Sequence, residues 1–414
     1  MIEKISTRIS EELEFILIKF FDGQEVEMFI QNVMDDILIL TSINSFDRGG
    51  DGTSLASGSF FTSRMRSIAD RVITKKKKKL DDNKYYHFLT EFGKLMIAEG
   101  EFFLASEIFS NIIKYSTDKD DLALIKAQAK IHLAGISVRL ADWENALTHL
   151  DEAKKIFDKV QDKKGLSQCE HLYGVINSRK GNLTDAKSNI LKGLSYLAQL
   201  DEPLLTGNLE LNLGNIEAKK GNHEEALKYY HNCLAKFQKV GDNRRVAEVW
   251  NNIGLVHIQT KEFGSALYEL AECSKIALEG RYLPILGIAY VNRAFSYIEI
   301  NELKLAAFYA GKAMDVCYQV NNTIAIADIY KLKGIIARKQ SEFQLAEEFL
   351  KASLRLNSEL KNDLNFAETA IEIGLLYKEL NIDTSADHYF KKALEYYQKI
   401  GAKDKIAEIS GYMK

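Results

Sequence analysis

Small and large apolar residues recur at fixed distances along this 414-residue chain. Alanine stands at Ala146, Ala186, Ala226, Ala266, Ala306, Ala346 and Ala386, each 40 positions after the last, and Ala105 precedes the first of them by 41. Twelve positions upstream of each alanine is a Gly or Ala: Gly93, Ala134, Gly174, Gly214, Gly254, Ala294, Gly334 and Gly374. Four positions downstream the residue is large and apolar (Phe109, Leu150, Ile190, Tyr230, Leu270, Leu350, Phe390), with Ala310 the one small exception. Seven downstream it is mostly small again, as at Ala153, Gly193, Cys233, Cys273 and Ala393. The alanine and the residues at +4 and +7 share one stripe of a helix. The twelve-residue step crosses a turn such as Lys219-Lys-Gly-Asn-His223, so small residues on both sides let two antiparallel helices approach closely. One such hairpin cannot bury its apolar faces alone, whereas a stack of them can. The pattern predicts an all-α chain with eight helical hairpins over 81–402 and a capping helix at 403–414, its Ile406 and Ile409 packed inward.

Residues ahead of the periodic array fall into two segments. Ile2 to Phe21 and Glu25 to Leu40 read as amphipathic helices, giving an N-terminal helical module over 1–42. Its apolar residues (Leu13, Ile16, Leu17, Phe20 and Phe21, then Met28, Phe29, Val33, Ile37 and Leu40) exceed what an isolated helix pair can hide. They are expected to fold back on the first hairpin; self-association through 1–42 and docking of a partner are the alternatives. Residues 43–80 read as a flexible linker: a Gly/Ser/Asp-rich stretch around Asp47 to Thr53, a short helix from Ser63 to Ile73, and the run Lys75 to Lys79. Five lysines without interleaved aromatic residues are a solvated linker before they are a membrane or nucleic-acid site.

Composition sharpens the helical reading. Pro203 and Pro284 are the only prolines, which suits long helices and not the turn-rich sandwiches and barrels of all-β proteins. With 55 basic and 58 acidic side chains the formal charge is -3, too balanced for a protein that coats nucleic acid. The four cysteines (Cys169, Cys233, Cys273, Cys317) are too sparse for a disulfide framework and wrongly spaced for a zinc site. Phe15 to Phe21, the most apolar stretch, is interrupted by Lys19 and far too short to span a bilayer, so no membrane insertion is expected. These features together predict a reducing, cytoplasmic location.

The small residues and their spacing resemble the tetratricopeptide repeat. Leu213-Gly214, Gly221, Ala226, Tyr230 and Cys233 fall where that pattern places its Leu-Gly, turn glycine, alanine, aromatic and second alanine. The resemblance runs from about Tyr85 to Gly401. The period of 40 and the missing proline at the end of the second helix are similar to LGN-type adaptors and to bacterial tetratricopeptide regulators. It implies a right-handed α-solenoid whose concave groove is lined by the first helix of each hairpin. It also implies a non-enzymatic adaptor that grips an extended peptide or helix of a protein partner. A second implication is a peptide- or partner-gated regulator in which the repeats reposition the N-terminal module.

Catalytic signatures are missing from the sequence: it has no phosphate-binding Gly-x-x-x-x-Gly-Lys-Ser/Thr loop, no His-Glu-x-x-His and no Gly-x-Ser-x-Gly. No catalytic, metal or cofactor residues are assigned. Candidate ligand contacts come instead from the first helices, where positions 2, 6, 9 and 13 (counting the Gly/Ala as 8) share one face. Position 6 holds Asn212, Asn252 and Asn292 in three successive repeats, with Asn208 and Asn215 on the same face. An amide offers both donor and acceptor, so a ladder of them can hold a peptide backbone without reading its sequence. Position 13 holds Arg139, Arg179 and Lys219 in succession, which predicts a positive trough and a partner of acidic character. Position 2 departs from the family's carboxylate clamp, being Glu248 and Ile288 in the Asn252 and Asn292 repeats.

Overall fold

The computed structural model describes residues 13–24, 26–27, 30–31, 82–98, 101–115 and 122–413. Met28, Phe29, Val33, Ile37, Leu40, the linker over 43–80 and its lysine run lie outside the described residues. Helices follow one another at the predicted spacing: α1 (Asp82–Ala98), α2 (Phe102–Tyr115), α3 (Ala123–Arg139), α4 (Trp143–Val160), α5 (Lys163–Arg179) and α6 (Leu183–Leu197). They continue as α7 (Pro203–Lys219), α8 (His223–Val240), α9 (Asn243–Gln259), α10 (Phe263–Glu279), α11 (Leu283–Glu299) and α12 (Leu303–Gln319). The series closes with α13 (Thr323–Lys339), α14 (Phe343–Glu359), α15 (Asp363–Glu379), α16 (Asp383–Lys399) and α17 (Lys403–Tyr412). Odd and even helices pair as eight antiparallel hairpins, and α17 stands against α16 without a second helix of its own. The chain forms two compact units, Met1–Asp201 with the first three hairpins and Glu202–Lys414 with the other five and α17.

Within each hairpin the periodic small residues do what their spacing implies. Ala105, Ala146, Ala186, Ala226, Ala266, Ala306, Ala346 and Ala386 are all buried. A Cβ built on Gly214 would sit 2.5 Å from the Tyr230 ring, and one on Gly374 would sit 2.5 Å from the Phe390 ring. Glycine on the first helix is therefore the seat into which the large residue of the second helix packs, face against backbone. Phe109, the third aromatic at that position, likewise faces a glycine, Gly93, at 2.6 Å. Alanine is found only opposite smaller partners, by register Leu150 for Ala134 and Ala310 for Ala294.

From α7 onward each turn is made the same way, with one residue in the left-handed region at intervals of 20. In the second unit these are Gly221 (φ 79°), Gly241 (72°), Lys261 (62°), Arg281 (55°), Asn301 (61°), Asn321 (52°), Ser341 (63°), Lys361 (53°), Asn381 (59°) and Gly401 (69°). The amide after each left-handed residue reaches back to close the helix end, as in Glu262 N–H to the His257 carbonyl at 2.8 Å. Non-glycine residues pay steric strain at this conformation, whereas glycine does not. Ser341→Gly is expected to raise stability by roughly 0.5–1 kcal/mol and Gly221→Ala to lower it by a similar amount. Urea unfolding of the two variants beside the parent checks the opposite signs.

The ends of the array are sealed by apolar contacts. Leu13, Ile16, Leu17 and Val26 are buried in one core with Phe88 and Phe92 of α1 and Phe109 of α2. Phe20 and Phe21 each meet the Phe88 ring edge-on at 5.6 Å. The described part of the N-terminal segment thus folds back on the first hairpin. At the other end Ile409 is fully buried and Ile406 half-buried against Phe390 and Tyr397, so α17 covers the last hairpin as its pattern predicted.

Candidate functional site

The five asparagines singled out by spacing lie together on the first helices of the second unit, α7, α9 and α11, and all are half-buried. Asn212 Nδ2 donates to the Asn208 carbonyl one turn earlier at 2.9 Å. Asn215 Oδ1 accepts from Asn252 Nδ2 at 3.1 Å and from the Tyr230 hydroxyl at 2.8 Å. Asn292 Nδ2 donates to Asn251 Oδ1 at 3.0 Å. Amide pairs therefore bridge α7 to α9 and α9 to α11, fixing the orientation of side chains that a flexible polar face would leave free to rotate. Asn251 and Tyr230 complete the network: one is a single asparagine at position 5, and the other holds the periodic large apolar position, where it reads as a core aromatic.

The basic residues of position 13 are divided between the units. Arg139, in the first unit, is exposed at the end of α3 with its guanidinium 5.7 Å from the Phe102 ring. Arg179 of the same unit donates Nη1 to the Val138 carbonyl at 3.0 Å. Lys219 is exposed in the last turn of α7, in the second unit. All three stand at helix C-termini, where a cation is favoured by the helix dipole whatever else it does.

The face carrying the asparagines continues along α11, α13 and α15 into an open cavity of about 510 Å³ whose last wall is α17. Phe295, Leu332, Ile335 and Leu375 give it apolar lining, and Asn292 is one of the lining residues. Four carboxylates (Asp328, Glu368, Glu372, Glu408) and two ammonium groups (Lys331, Lys405) line it. Lys331 is shared, 2.5 Å from Glu368 and 3.7 Å from Asp328, and Asn365 Nδ2 donates to the Asp328 carboxylate at 2.8 Å. On α17, Lys405 pairs with Glu408 at 2.9 Å, and the Tyr412 hydroxyl donates to the same carboxylate at 3.1 Å. Glu372 is held at 2.8 Å by Arg338. Burial pushes the Asp328 carboxyl above its ordinary value against the pull of Lys331, while the bond from Lys405 holds Glu408 below it. The amides of position 6 give no sign of this cavity, because that position turns to Leu332 and Glu372 here; its repeating signal lies at position 2, where Asp328, Glu368 and Glu408 recur 40 residues apart.

Titratable groups elsewhere offer little chemistry. All four cysteines are free and buried, and burial pushes the thiols of Cys169, Cys233 and Cys273 up to about 12, far from a nucleophilic thiolate. Among the described residues no cluster of three His, Cys, Asp or Glu side chains can hold a metal ion. No described helix is long and apolar enough to cross a membrane.

Comparison with known proteins agrees with the hairpin geometry. Residues 205–279, which hold most of α7 and all of α8, α9 and α10, match the tetratricopeptide repeat family pattern. A TPR repeat-containing protein of Methanocaldococcus jannaschii is 24% identical over 277 residues, covering 62% of this chain and 47% of the relative. The chain thus spans about half the length of that relative. In the apo quorum sensor NprR of B. thuringiensis the fold is shared with a TM-score of 0.59 at 14% identity, over 81% of this chain and 94% of that one. A Rap protein complexed with Competence and Sporulation Factor superposes with a TM-score of 0.55 at 13% identity, over 79% of this chain and 96% of that one. From its 40-residue period and its glycine-seated hairpins the chain has an all-α solenoid fold, in which residues 205–279 match the tetratricopeptide repeat pattern.

Proposed function

We propose that the chain is a non-enzymatic interaction protein that takes an extended peptide or helix of a protein partner along the first helices of its second unit. The bridged asparagine ladder carries this reading. Asn212, Asn252 and Asn292 recur on one half-buried face and are oriented by their neighbours, as a preorganised backbone-binding surface requires. Support comes also from the shared fold of a quorum sensor and of a Rap protein solved with a bound factor. Each ligand bond is worth ~0.5–1.5 kcal/mol net, so the three amides together make a platform and leave specificity to the side-chain pockets beside them.

The test uses peptides selected from a displayed random library on the immobilised full-length chain. Replacing Asn212, Asn252 and Asn292 together by Ala should weaken a selected peptide roughly ten- to two-thousandfold in fluorescence anisotropy, from the summed bond energies. The variant should keep its helical circular dichroism. Unchanged affinity in the folded triple variant would remove the ladder from the binding surface.

A regulator is the second reading, favoured by the packing of Leu13, Ile16 and Leu17 on α1, which a ligand-driven change in the repeats could release. It predicts that a saturating peptide alters the rate of trypsin cleavage at Lys19, and equal rates with and without peptide speak for the plain adaptor.

A further inference from the structure

From the cavity bounded by α11, α13, α15 and α17, we infer that the partner segment carries a lysine or arginine beside apolar residues, and that α17 is part of the recognition surface as well as a cap. The inference rests on the groove reading above and adds the chemistry of the ligand. Three observations carry it.

First, the cavity lining is mixed. Phe295, Leu332, Ile335 and Leu375 give it apolar surface, and ionic groups share the same lining. A lysine or arginine fits such a site because its aliphatic stem lies along apolar surface while its head reaches a polar group. Second, the four lining carboxylates outnumber the cations that serve them by one: Lys331 is shared by Asp328 and Glu368, Lys405 pairs with Glu408, and Arg338 holds Glu372. A cation entering beside Glu368 and Glu408 meets that excess of negative charge, whereas an incoming carboxylate meets repulsion. Third, Glu368 and Glu408 come from different elements, α15 and α17, and both are partly exposed, with side-chain accessibilities of 42% and 41%. They are open to a ligand, and α17 supplies one of the two.

This departs from the acidic partner that Arg139, Arg179 and Lys219 led the sequence to predict. Those residues are split between the units, while the cavity lies wholly within the second.

The experiment is selection of random heptapeptides on the full-length chain, on a Glu368→Gln/Glu408→Gln variant, and on the folded triple-asparagine variant. Peptides selected on the parent should carry lysine and arginine above their share in the unselected library, next to aliphatic or aromatic residues. A synthesised winner should lose about tenfold in affinity on the double glutamine variant, and its binding should depend less on salt there. Peptides of acidic or library-average charge would overturn the cationic assignment, as would a winner that binds the glutamine variant with parental affinity. If such a winner still fails on the triple-asparagine variant, the groove reading stands and only the ligand chemistry falls. A library that yields no binder to the parent removes the groove reading and this inference with it. Single Glu408→Gln, on the exposed face of α17, repeats the test should the double variant unfold.

Discussion

Gly374→Ala is expected to destabilise the second unit by about 2 kcal/mol, although alanine is the better helix former by ~1 kcal/mol. Overpacking is the cause. The new methyl would lie 2.5 Å from the ring of Phe390, which is fully buried and has nowhere to retreat. Phe390→Leu alone should also destabilise, by roughly 1–2 kcal/mol, through the cavity it leaves. The two changes together recreate the alanine-opposite-leucine pairing that Ala134 and Leu150 occupy by register in the first unit. The double variant should therefore be more stable than the sum of its parts, with a favourable coupling of about 0.5–3 kcal/mol. Urea unfolding followed by Trp250 fluorescence in a Trp143→Phe background reads the second unit. Strict additivity would mean that the small residue and the aromatic do not share one packing site, and the account of the 40-residue period would lose its physical basis.

The first unit should lose stability between pH 6.5 and about 4 because of His132. Its ring stacks on Phe109 at 4.7 Å and its Nε2 is enclosed with no hydrogen-bond partner. Burial, helped by the nearby charge of Lys94 and opposed by that of Glu91, lowers its pKa to about 4. The sign follows from proton binding. Below pH 6.5 the unfolded chain takes up a proton at this site while the native chain does not until about pH 4, so acid favours unfolding throughout that window. The full shift corresponds to ~3 kcal/mol as an upper figure. His132→Phe keeps an aromatic ring on Phe109 and removes the titration. Its unfolding free energy at pH 4.5, read from Trp143 in a Trp250→Phe background, should exceed the parent's by more than it does at pH 7.5. Parallel pH profiles for variant and parent would show that the ring is solvated in the native state.

These two predictions mark what could and could not be read from the chain. The hairpins, their number and their register were legible because one packing contact repeats, and repetition in space leaves a period in sequence. The cap at α17 was legible for the same reason, since Ile406 and Ile409 keep the phase. The turns were only half legible. Glycine at 221, 241 and 401 announces a left-handed residue, but Lys261, Arg281 and Lys361 adopt the same conformation without any such signal, held there by the helices on both sides. The binding surface was only partly read although it repeats. Asparagines at position 6 in successive repeats stand out. Asp328, Glu368 and Glu408 also recur 40 residues apart, at position 2, but an acid there reads as an ordinary solvated helix residue until the structure places the three around one cavity. The basic residues of position 13 succeed one another in sequence but belong to two units, and each ends a helix where the dipole already favours a cation.

The most direct test of the central claim is photo-crosslinking of a selected peptide carrying a diazirine side chain, with the adducts located by mass spectrometry. Ligand bound along the first helices of the second unit predicts adducts on α9, α11, α13, α15 and α17, including the lining residues Phe295, Leu332 or Leu375. Adducts confined to the second helices α10, α12, α14 and α16, or to the first unit, would contradict it.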